Sequence, residues 1–212
     1  MFVECSRPGC QFRFPVEANN RRGKTCPKCG AETIPQAEAG FAGRQMTLQV
    51  ANHPLPKSPP AAALLDNLRS TFNVGAIFRT ADGAGFDRLH LCGITPTPEN
   101  PKVGKTALGS ENAIPWEYSN NSVLAVRQLK QAGACLWALE DTPQAISLYD
   151  ALSFRSSQPL VLVVGNELAG VDPGVLELCD LHTWIPMRGM KESLNVAIAF
   201  SIAAYLIRSP EK

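Results

Sequence analysis

From about residue 61 onward the chain alternates between strand-like and helix-like segments, and this pattern constrains the fold more than any other feature. At its centre, residues 160–164 are five aliphatic side chains in succession, which predicts a strand buried on both faces. Such alternation predicts an α/β fold, a mostly parallel sheet with helices on both faces. The predicted strands are 88–92, 135–139, 160–164 and 182–185, and the predicted helices are 74–83, 122–131, 173–178 and 193–207.

The last predicted helix, 193–207, carries apolar side chains almost all the way round. A helix without a broad polar face is buried in a core or in an interface. Both a core position and a subunit interface therefore stay open for this helix.

Four cysteines within the first 32 residues have the spacing of a zinc ribbon. Cys5 and Cys10 form a C-x4-C pair, and Cys26 and Cys29 form a C-x2-C pair that is separated from the first by fifteen residues. About 30 residues bury too little surface to fold alone, so a structural Zn²⁺ ion would supply the stability. The alternative is four free thiols without a metal. The spacing predicts a zinc-ribbon-like module over residues 1–32.

Residues 33–60 are predicted to be a linker, because five prolines interrupt any long helix or central strand. Residues 61–212 form the main predicted domain. The net charge of the chain is +1, but residues 1–45 contain seven basic and four acidic groups, or +3. A small basic head on a nearly neutral body suits contact with RNA, and a solvated surface is the alternative.

The sequence also predicts a cytoplasmic protein that does not span a membrane. Its first residues lack the apolar core of a signal peptide, and no run reaches the roughly 18 apolar residues of a membrane span. Seven cysteines are an odd number without a secretory context, which argues against a disulfide framework.

Two familiar nucleotide-binding motifs fail on their spacing. Residues 83–88 begin like G-x-G-x-x-G, but Arg88 stands at the last glycine position. Residues 104–106 resemble the end of a Walker A loop, but Glu99 stands where its first glycine belongs. The three histidines, His53, His90 and His182, lie in the predicted linker and strands, and we assign them no catalytic role.

Three short segments place polar residues where an α/β sheet binds ligands. They are 73–81 (NVGAIFRTA), 162–170 (LVVGNELAG) and 185–197 (IPMRGMKESLNVA). The loop of the second segment follows the buried strand, and ligands of open α/β sheets bind at the carboxyl ends of strands. Gly165 in this loop lets the backbone approach a ligand closely.

The polar residues of these segments also have structural interpretations. Asn73 and Ser193 each stand where a helix N-cap is predicted. Arg79 is a possible partner in a surface ion pair, and Glu167 is a possible exposed loop acid. Asn73 and Arg79 are six residues apart, which is about 240° around a helix, so they do not share a face.

In this order and at these separations, the three segments resemble the motifs of the SpoU/TrmH branch of SPOUT RNA methyltransferases. The resemblance covers about residues 61–208 and implies methyl transfer from S-adenosylmethionine to a ribose 2′-hydroxyl of structured RNA, a tRNA or an rRNA. It also implies a SPOUT-type fold with a carboxyl-terminal trefoil knot, and a homodimer that forms through the C-terminal helix. The zinc-ribbon-like module is then interpreted as a substrate-recognition extension.

The resemblance further implies the residues of the site. A permanently protonated arginine would orient a phosphate or stabilise the developing alkoxide, and its part in removing the proton stays open. The alternatives are a non-catalytic RNA-binding or assembly protein on a SPOUT scaffold, and a zinc-ribbon factor that binds DNA or protein. The implied catalytic residues are Asn73, Arg79, Glu167, Ser193 and Asn195, and the implied cofactor-binding residues are Leu139, Gly165, Ile185, Met187 and Leu194.

Overall fold

A computed structural model describes residues 2–10, 12–16, 24–37 and 59–209 of the chain. The chain divides into two compact units, Met1–Pro54 and Leu55–Lys212. Among the described residues, no helix is both long and apolar enough to cross a membrane.

The first unit contains a three-stranded antiparallel sheet of β1 (Phe2–Cys5), β2 (Arg13–Pro15) and β3 (Thr33–Ala37), in the order β2-β1-β3. The prediction that the linker begins at residue 33 is wrong, because β3 pairs with β1 there. Pro35 lies opposite Val3 in this pairing, and an edge strand tolerates a proline that a central strand would not. The rest of the predicted linker, up to residue 58, lies outside the described residues.

The second unit is built on one seven-stranded sheet in which every neighbouring pair of strands is parallel. The strand order is β6-β5-β4-β9-β7-β10-β8. The strands are β4 (Ala61–Asp66), β5 (Arg88–Cys92), β6 (Trp116–Ser119), β7 (Cys135–Leu139), β8 (Ile146–Ser147), β9 (Leu160–Val164) and β10 (Leu181–Trp184). The helices are α1 (Thr71–Ala84), α2 (Pro101–Ala107), α3 (Ser110–Ala113), α4 (Ser122–Gln131), α5 (Leu148–Ala151), α6 (Pro173–Leu176) and α7 (Val196–Arg208).

The side chains of β9 enter two separate cores, one on each face of the sheet. Leu160, Leu162 and Val164 pack with residues of α1, α2 and α7. Val161 and Val163 pack with residues of α4 and α6 on the opposite face. All five are buried, and each buried aliphatic side chain contributes about 1.5–3 kcal/mol to folding. The predicted α/β class, with helices on both faces of a parallel sheet, is therefore confirmed.

Two predicted helix caps are wrong, and both corrections bear on the site. Helix α1 is capped by Ser70, whose side chain accepts the backbone N–H of Asn73 at 3.3 Å. Helix α7 is capped by Asn195 rather than Ser193, since Asn195 Oδ1 accepts the backbone N–H of Ala197 at 2.9 Å. Asn73 therefore lies inside the first turn of α1, where its side chain is available for contacts with other segments.

Helix α7 divides its apolar side chains between two faces. One face, which includes Phe200 and Ala204, is buried against the sheet and α1. The other face leaves Ile198 53% and Tyr205 56% exposed. The helix lacks a polar face because its outward side is apolar as well, so a subunit interface remains open for that side.

Candidate active site

A cavity of about 510 Å³ opens at the carboxyl ends of three neighbouring strands. Leu139 ends β7, Val164 ends β9 and Trp184 ends β10, and all three line the cavity. The remaining walls come from the loop 165–170 and from the segment that leads into α7. The predicted cofactor-binding residues Leu139, Gly165, Ile185, Met187 and Leu194 all lie in these walls, and their role in binding stays a prediction.

The loop 165–170 is closed so tightly that only glycine fits at its start. Asn166 and Gly170 exchange two backbone hydrogen bonds of 2.9 Å across the loop. A Cβ atom on Gly165 would lie 2.2 Å from the backbone nitrogen of Val171 and 2.3 Å from the carbonyl carbon of Gly170. Because both neighbours are backbone atoms, no side chain can move aside to make room.

A chain of hydrogen bonds joins the three motif segments next to this cavity. The Glu167 carboxylate accepts the backbone N–H groups of Arg69 at 2.9 Å and Ser70 at 3.1 Å, and the Asn73 side-chain amide at 2.8 Å. Asn195 Nδ2 donates to Asn73 Oδ1 at 3.1 Å. Glu167 therefore binds the amino-terminal end of α1, where a carboxylate is favoured by unpaired N–H groups and by the helix dipole.

These donors determine the ionisation of Glu167. Burial acts to raise the pKa of its carboxyl, but the hydrogen bonds from Arg69, Asn73 and Ser70 and its own backbone outweigh burial and lower the pKa. Glu167 is therefore a weak base with its oxygens already occupied. The contact of Glu167 with the side-chain amide of Asn73 holds that amide in place.

The two other predicted catalytic residues lie apart from this chain of hydrogen bonds. Ser193 is exposed and lines the cavity. Arg79 does not line it, and within the described part of the chain its side chain has no hydrogen bond or ion pair. Arg79 projects from the outward face of α1, which also carries Phe72 and Gly83. One copy of the chain thus brings four of the five predicted catalytic residues together and leaves Arg79 outside.

Sequence reasoning missed three acids at the cavity, Glu140, Asp141 and Glu192. Burial raises the pKa of the Glu140 carboxyl, partly offset by the N–H of Val171, which Glu140 Oε2 accepts at 3.3 Å. Glu140 and Asp141 are identifiable by their place directly after strand β7, at the same sheet edge as the loop 165–170.

The four cysteines of the first unit form a compact group, with all four sulfur atoms within 4.8 Å of one another. The Sγ atoms of Cys5 and Cys29 are 3.4 Å apart, and those of Cys10 and Cys26 are 3.8 Å apart. Four thiolates around a tetrahedral Zn²⁺ ion are separated by about 3.8 Å, so the donor set fits such an ion. Hydrogen bonds from the backbone of Ala31 and from the Cys5 thiol lower the pKa of Cys29 to about 7, whereas burial raises the pKa of Cys5 to about 12.

Residues 60–205 match the model of the SpoU rRNA Methylase family. The chain belongs to this family. The matched residues contain the whole strand-end cavity and all five residues predicted to be catalytic. The likeness to SPOUT methyltransferases predicted for the fold is thereby confirmed, and the trefoil knot stays a prediction.

Two curated relatives are about one-third identical to this chain over the aligned residues. The chain is 37% identical over 148 residues to the 23S rRNA (guanosine(2553)-2'-O)-methyltransferase RlmP of Bacillus subtilis. It is 33% identical over 141 residues to the tRNA (guanosine(18)-2'-O)-methyltransferase of Aquifex aeolicus. The two alignments cover 68% and 66% of this chain but only 56% and 64% of the relatives. The chain thus spans less than two thirds of the length of either relative.

Solved structures of methyltransferases are also similar to this chain. The AdoMet-bound rRNA methyltransferase of Sinorhizobium meliloti matches with a TM-score of 0.66 and 30% identity, over 72% of this chain and 57% of that one. The SpoU methyltransferase AviRb of Streptomyces viridochromogenes, in complex with AdoMet, matches with a TM-score of 0.63 and 28% identity, over 73% of this chain and 62% of that one.

Proposed function

We propose that this chain transfers a methyl group from S-adenosylmethionine to a ribose 2′-hydroxyl of structured RNA, a tRNA or an rRNA. The observation that carries the proposal is the hydrogen-bonded chain of Glu167, Asn73 and Asn195, which joins the three family segments beside the strand-end cavity. The cavity of about 510 Å³ lies within the range of small-ligand sites, about 300–1,000 Å³, and is lined by both apolar and polar residues. The two curated relatives are named as guanosine 2′-O-methyltransferases of rRNA and tRNA.

Each residue has a role that follows from its contacts. Bound S-adenosylmethionine supplies an electrophilic methyl group, and Leu139, Ile185 and Leu194 would hold it with apolar side chains and backbone groups. Asn195 is held by the bond from its Nδ2 to Asn73, and it orients the ribose from the rim of the cavity. Ser193 offers a hydroxyl to the same substrate.

A ribose hydroxyl must lose its proton as it attacks the methyl group. Glu167 is poorly suited to accept that proton, because three donors already occupy its oxygens. An arginine guanidinium is a hydrogen-bond donor with no acceptor, so Arg79 acts by binding a phosphate beside the target ribose and by stabilising the negative charge that develops on the 2′-oxygen. The proton then passes to that phosphate or to water.

The proposal is tested with the full chain, labelled S-adenosylmethionine, and total tRNA or rRNA. We expect label in 2′-O-methylated nucleotides after digestion of one of the two pools. Cofactor binding measured by calorimetry without turnover on any RNA would favour the non-catalytic RNA-binding alternative. Neither binding nor transfer would refute the proposal.

We further propose a homodimer that forms through α7 and the outward face of α1. A hydrogen bond of 2.9 Å between the hydroxyls of Thr80 and Ser201 joins the two helices, so their outward faces adjoin. Phe72 on α1 and Ile198 and Tyr205 on α7 are more than half exposed there. Contiguous exposed apolar side chains are typical of an interface between proteins. A second copy on this surface would bring Arg79 of one chain toward the cavity of the other.

Mixed dimers test this arrangement. Arg79→Ala removes the positive charge, and Gly165→Ala displaces the loop 165–170, so we expect each variant alone to have little turnover at a cofactor concentration well below the dissociation constant of Gly165→Ala. Refolded together in equal amounts, half of the dimers combine the two variants and contain one complete site, which restores about a quarter of the wild-type turnover. Mixed dimers that form, as shown by differently tagged chains, but stay inactive would contradict the arrangement.

We also propose that the first unit binds one structural Zn²⁺ ion through Cys5, Cys10, Cys26 and Cys29 and contacts the RNA. The turn that contains Cys26 and Cys29 is closed by a hydrogen bond of 2.8 Å, which the backbone N–H of Gly30 donates to the carbonyl oxygen of Cys26. Gly30 has a φ of 72°, a backbone conformation that favours glycine. The ring of Phe12 stacks on Phe14 at 5.5 Å and remains 40% exposed, as suits stacking with a base.

Metal content and RNA affinity measured on the same samples test this proposal. We expect about one zinc per chain by mass spectrometry, and Cys29→Ser to lose most of it, because three thiolates hold the ion poorly. Cys135→Ser, which alters a thiol of the second unit, is the matched control and keeps the metal. Full metal content in Cys29→Ser would contradict the assigned ligands, and unchanged RNA affinity after loss of metal would contradict the RNA contact.

A further inference from the structure

Among the described residues, the side chains that line the cavity at the strand ends include acidic ones but no basic ones. Of its eighteen lining residues, none is lysine, arginine or histidine. The four that carry carboxylates are Glu140, Asp141, Glu167 and Glu192. Glu167 is bound to the end of α1, so three carboxylates remain for a ligand.

Within the described residues, no lysine, arginine or histidine forms an ion pair with these three carboxylates. The ion pairs in the described part of the chain involve other acids, namely Glu4, Glu117 and Asp180. Asp141 and Glu192 are exposed, whereas Glu140 is half-buried. Glu140 Oε2 accepts the Val171 N–H, and its Oε1 would be 2.7 Å from a Cβ on Gly170. The Glu140 carboxylate thus lies against the loop 165–170, where water screens its charge less than at an exposed position.

We propose that these carboxylates, Glu140 foremost, make the cavity select the positively charged cofactor over its neutral product. This inference rests on the proposed function, because it takes the cavity as the site of S-adenosylmethionine. That assignment stands on the strand ends, the glycine loop and the family match, independently of the acids.

The charge of the cofactor changes in the reaction itself. S-adenosylmethionine carries a sulfonium, an ammonium and a carboxylate, which sum to +1. When the sulfur–methyl bond breaks, its electron pair stays on sulfur, the methyl group bonds to the 2′-oxygen and the hydroxyl proton leaves. S-adenosylhomocysteine is left with a thioether and a net charge of zero. The carboxylates therefore attract the cofactor before the reaction more than its product afterwards.

The size of this selection follows from Coulomb attraction near a protein surface. One unit charge within several ångströms of a partly screened carboxylate changes affinity by about five- to tenfold at low salt. The same attraction favours the charged ground state over a transition state that is losing its charge, so it does not accelerate the chemical step. The attraction instead helps the replacement of product by cofactor, because S-adenosylhomocysteine dissociates more readily and competes less with S-adenosylmethionine for the cavity.

Calorimetry on the full chain with three ligands tests the proposal. S-adenosylmethionine and sinefungin, in which an ammonium-bearing carbon replaces the methylated sulfur, both carry +1, whereas S-adenosylhomocysteine is neutral. We expect both cations to bind about tenfold more tightly than the neutral ligand at about 20 mM salt, and less than about threefold at about 500 mM. We expect Glu140→Gln, which keeps an acceptor for Val171, to reduce the low-salt preference for the two cations over the neutral ligand.

Asp150→Asn removes an exposed acid of α5 that does not line the cavity, and it serves as the matched control. Equal affinity for the three ligands at low salt would overturn the inference while leaving the proposed function intact, as would a preference unchanged in Glu140→Gln. Failure of all three ligands to bind would instead refute the proposed function, and this inference with it. Should Glu140→Gln not fold, the salt dependence of the unmodified chain decides alone.

Discussion

Gly165→Ala is expected to raise the dissociation constant of the cofactor at least tenfold, a loss of about 1.4 kcal/mol or more. The added Cβ would lie 2.2 Å from the backbone nitrogen of Val171 and 2.3 Å from the carbonyl carbon of Gly170. Since neither atom belongs to a movable side chain, the loop 165–170 must shift, and the cavity wall shifts with it. We also expect the free energy of unfolding to fall by about 1–3 kcal/mol, as is usual for overpacking.

Calorimetry with S-adenosylmethionine and urea unfolding measure the two effects. Gly189→Ala is the matched control, because a Cβ there meets no atom within 4 Å and Gly189 does not line the cavity. We expect the control to bind the cofactor like the unmodified chain. Wild-type affinity in Gly165→Ala would show that the loop does not form the cofactor site.

Arg79→Ala is expected to reduce methyl transfer by about 10²–10³-fold, as is typical when a residue that stabilises developing charge is removed. The cofactor dissociation constant is expected to stay unchanged, because Arg79 does not line the cavity. Stability is expected to change little as well, since the side chain is exposed and has no hydrogen bond within the described residues. Single-turnover transfer to RNA and calorimetry together measure this separation.

The matched control is Arg127→Ala, which removes an exposed arginine from α4, a helix that covers the opposite face of the sheet. We expect this control to retain full turnover. If Arg79→Ala weakens cofactor binding by as large a factor as it reduces turnover, Arg79 contacts the cofactor rather than the RNA. Unchanged turnover would remove it from the catalytic residues.

The sequence predicts four of the seven strands of the second unit, β5, β7, β9 and β10, because their signals are local, whereas β4, β6 and β8 were not predicted as strands. The five aliphatic residues of β9 need burial on both faces, and the structure places them in two cores. Local signals failed at the helix starts. Ser70 and Asn73 are both favourable caps, as are Ser193 and Asn195, and only the backbone geometry decides which residue of each pair accepts the N–H groups.

The candidate site was predictable only in part, because its contacts join residues that are far apart in the chain. The bond between Asn73 and Glu167 spans 94 positions, and the bond between Asn73 and Asn195 spans 122. The periodicity of apolar residues in a sequence does not indicate which distant residues are in contact. These pairs were predicted to lie in one site only because the residues occur together in the family motifs. Glu140 carries no motif of its own, so its place on the cavity wall emerged from the sheet order.

The amide of Asn195 limits which residues this position can accept. Its oxygen caps α7, and its nitrogen binds Asn73. Aspartate would keep the cap and lose the donor, whereas serine would keep a cap with a shorter reach toward Asn73. Folding and chemistry thus depend on opposite ends of one planar group, and a substitution that spares one of them damages the other. A screen that scores only stability and a screen that scores only activity would therefore both identify this position, for different reasons.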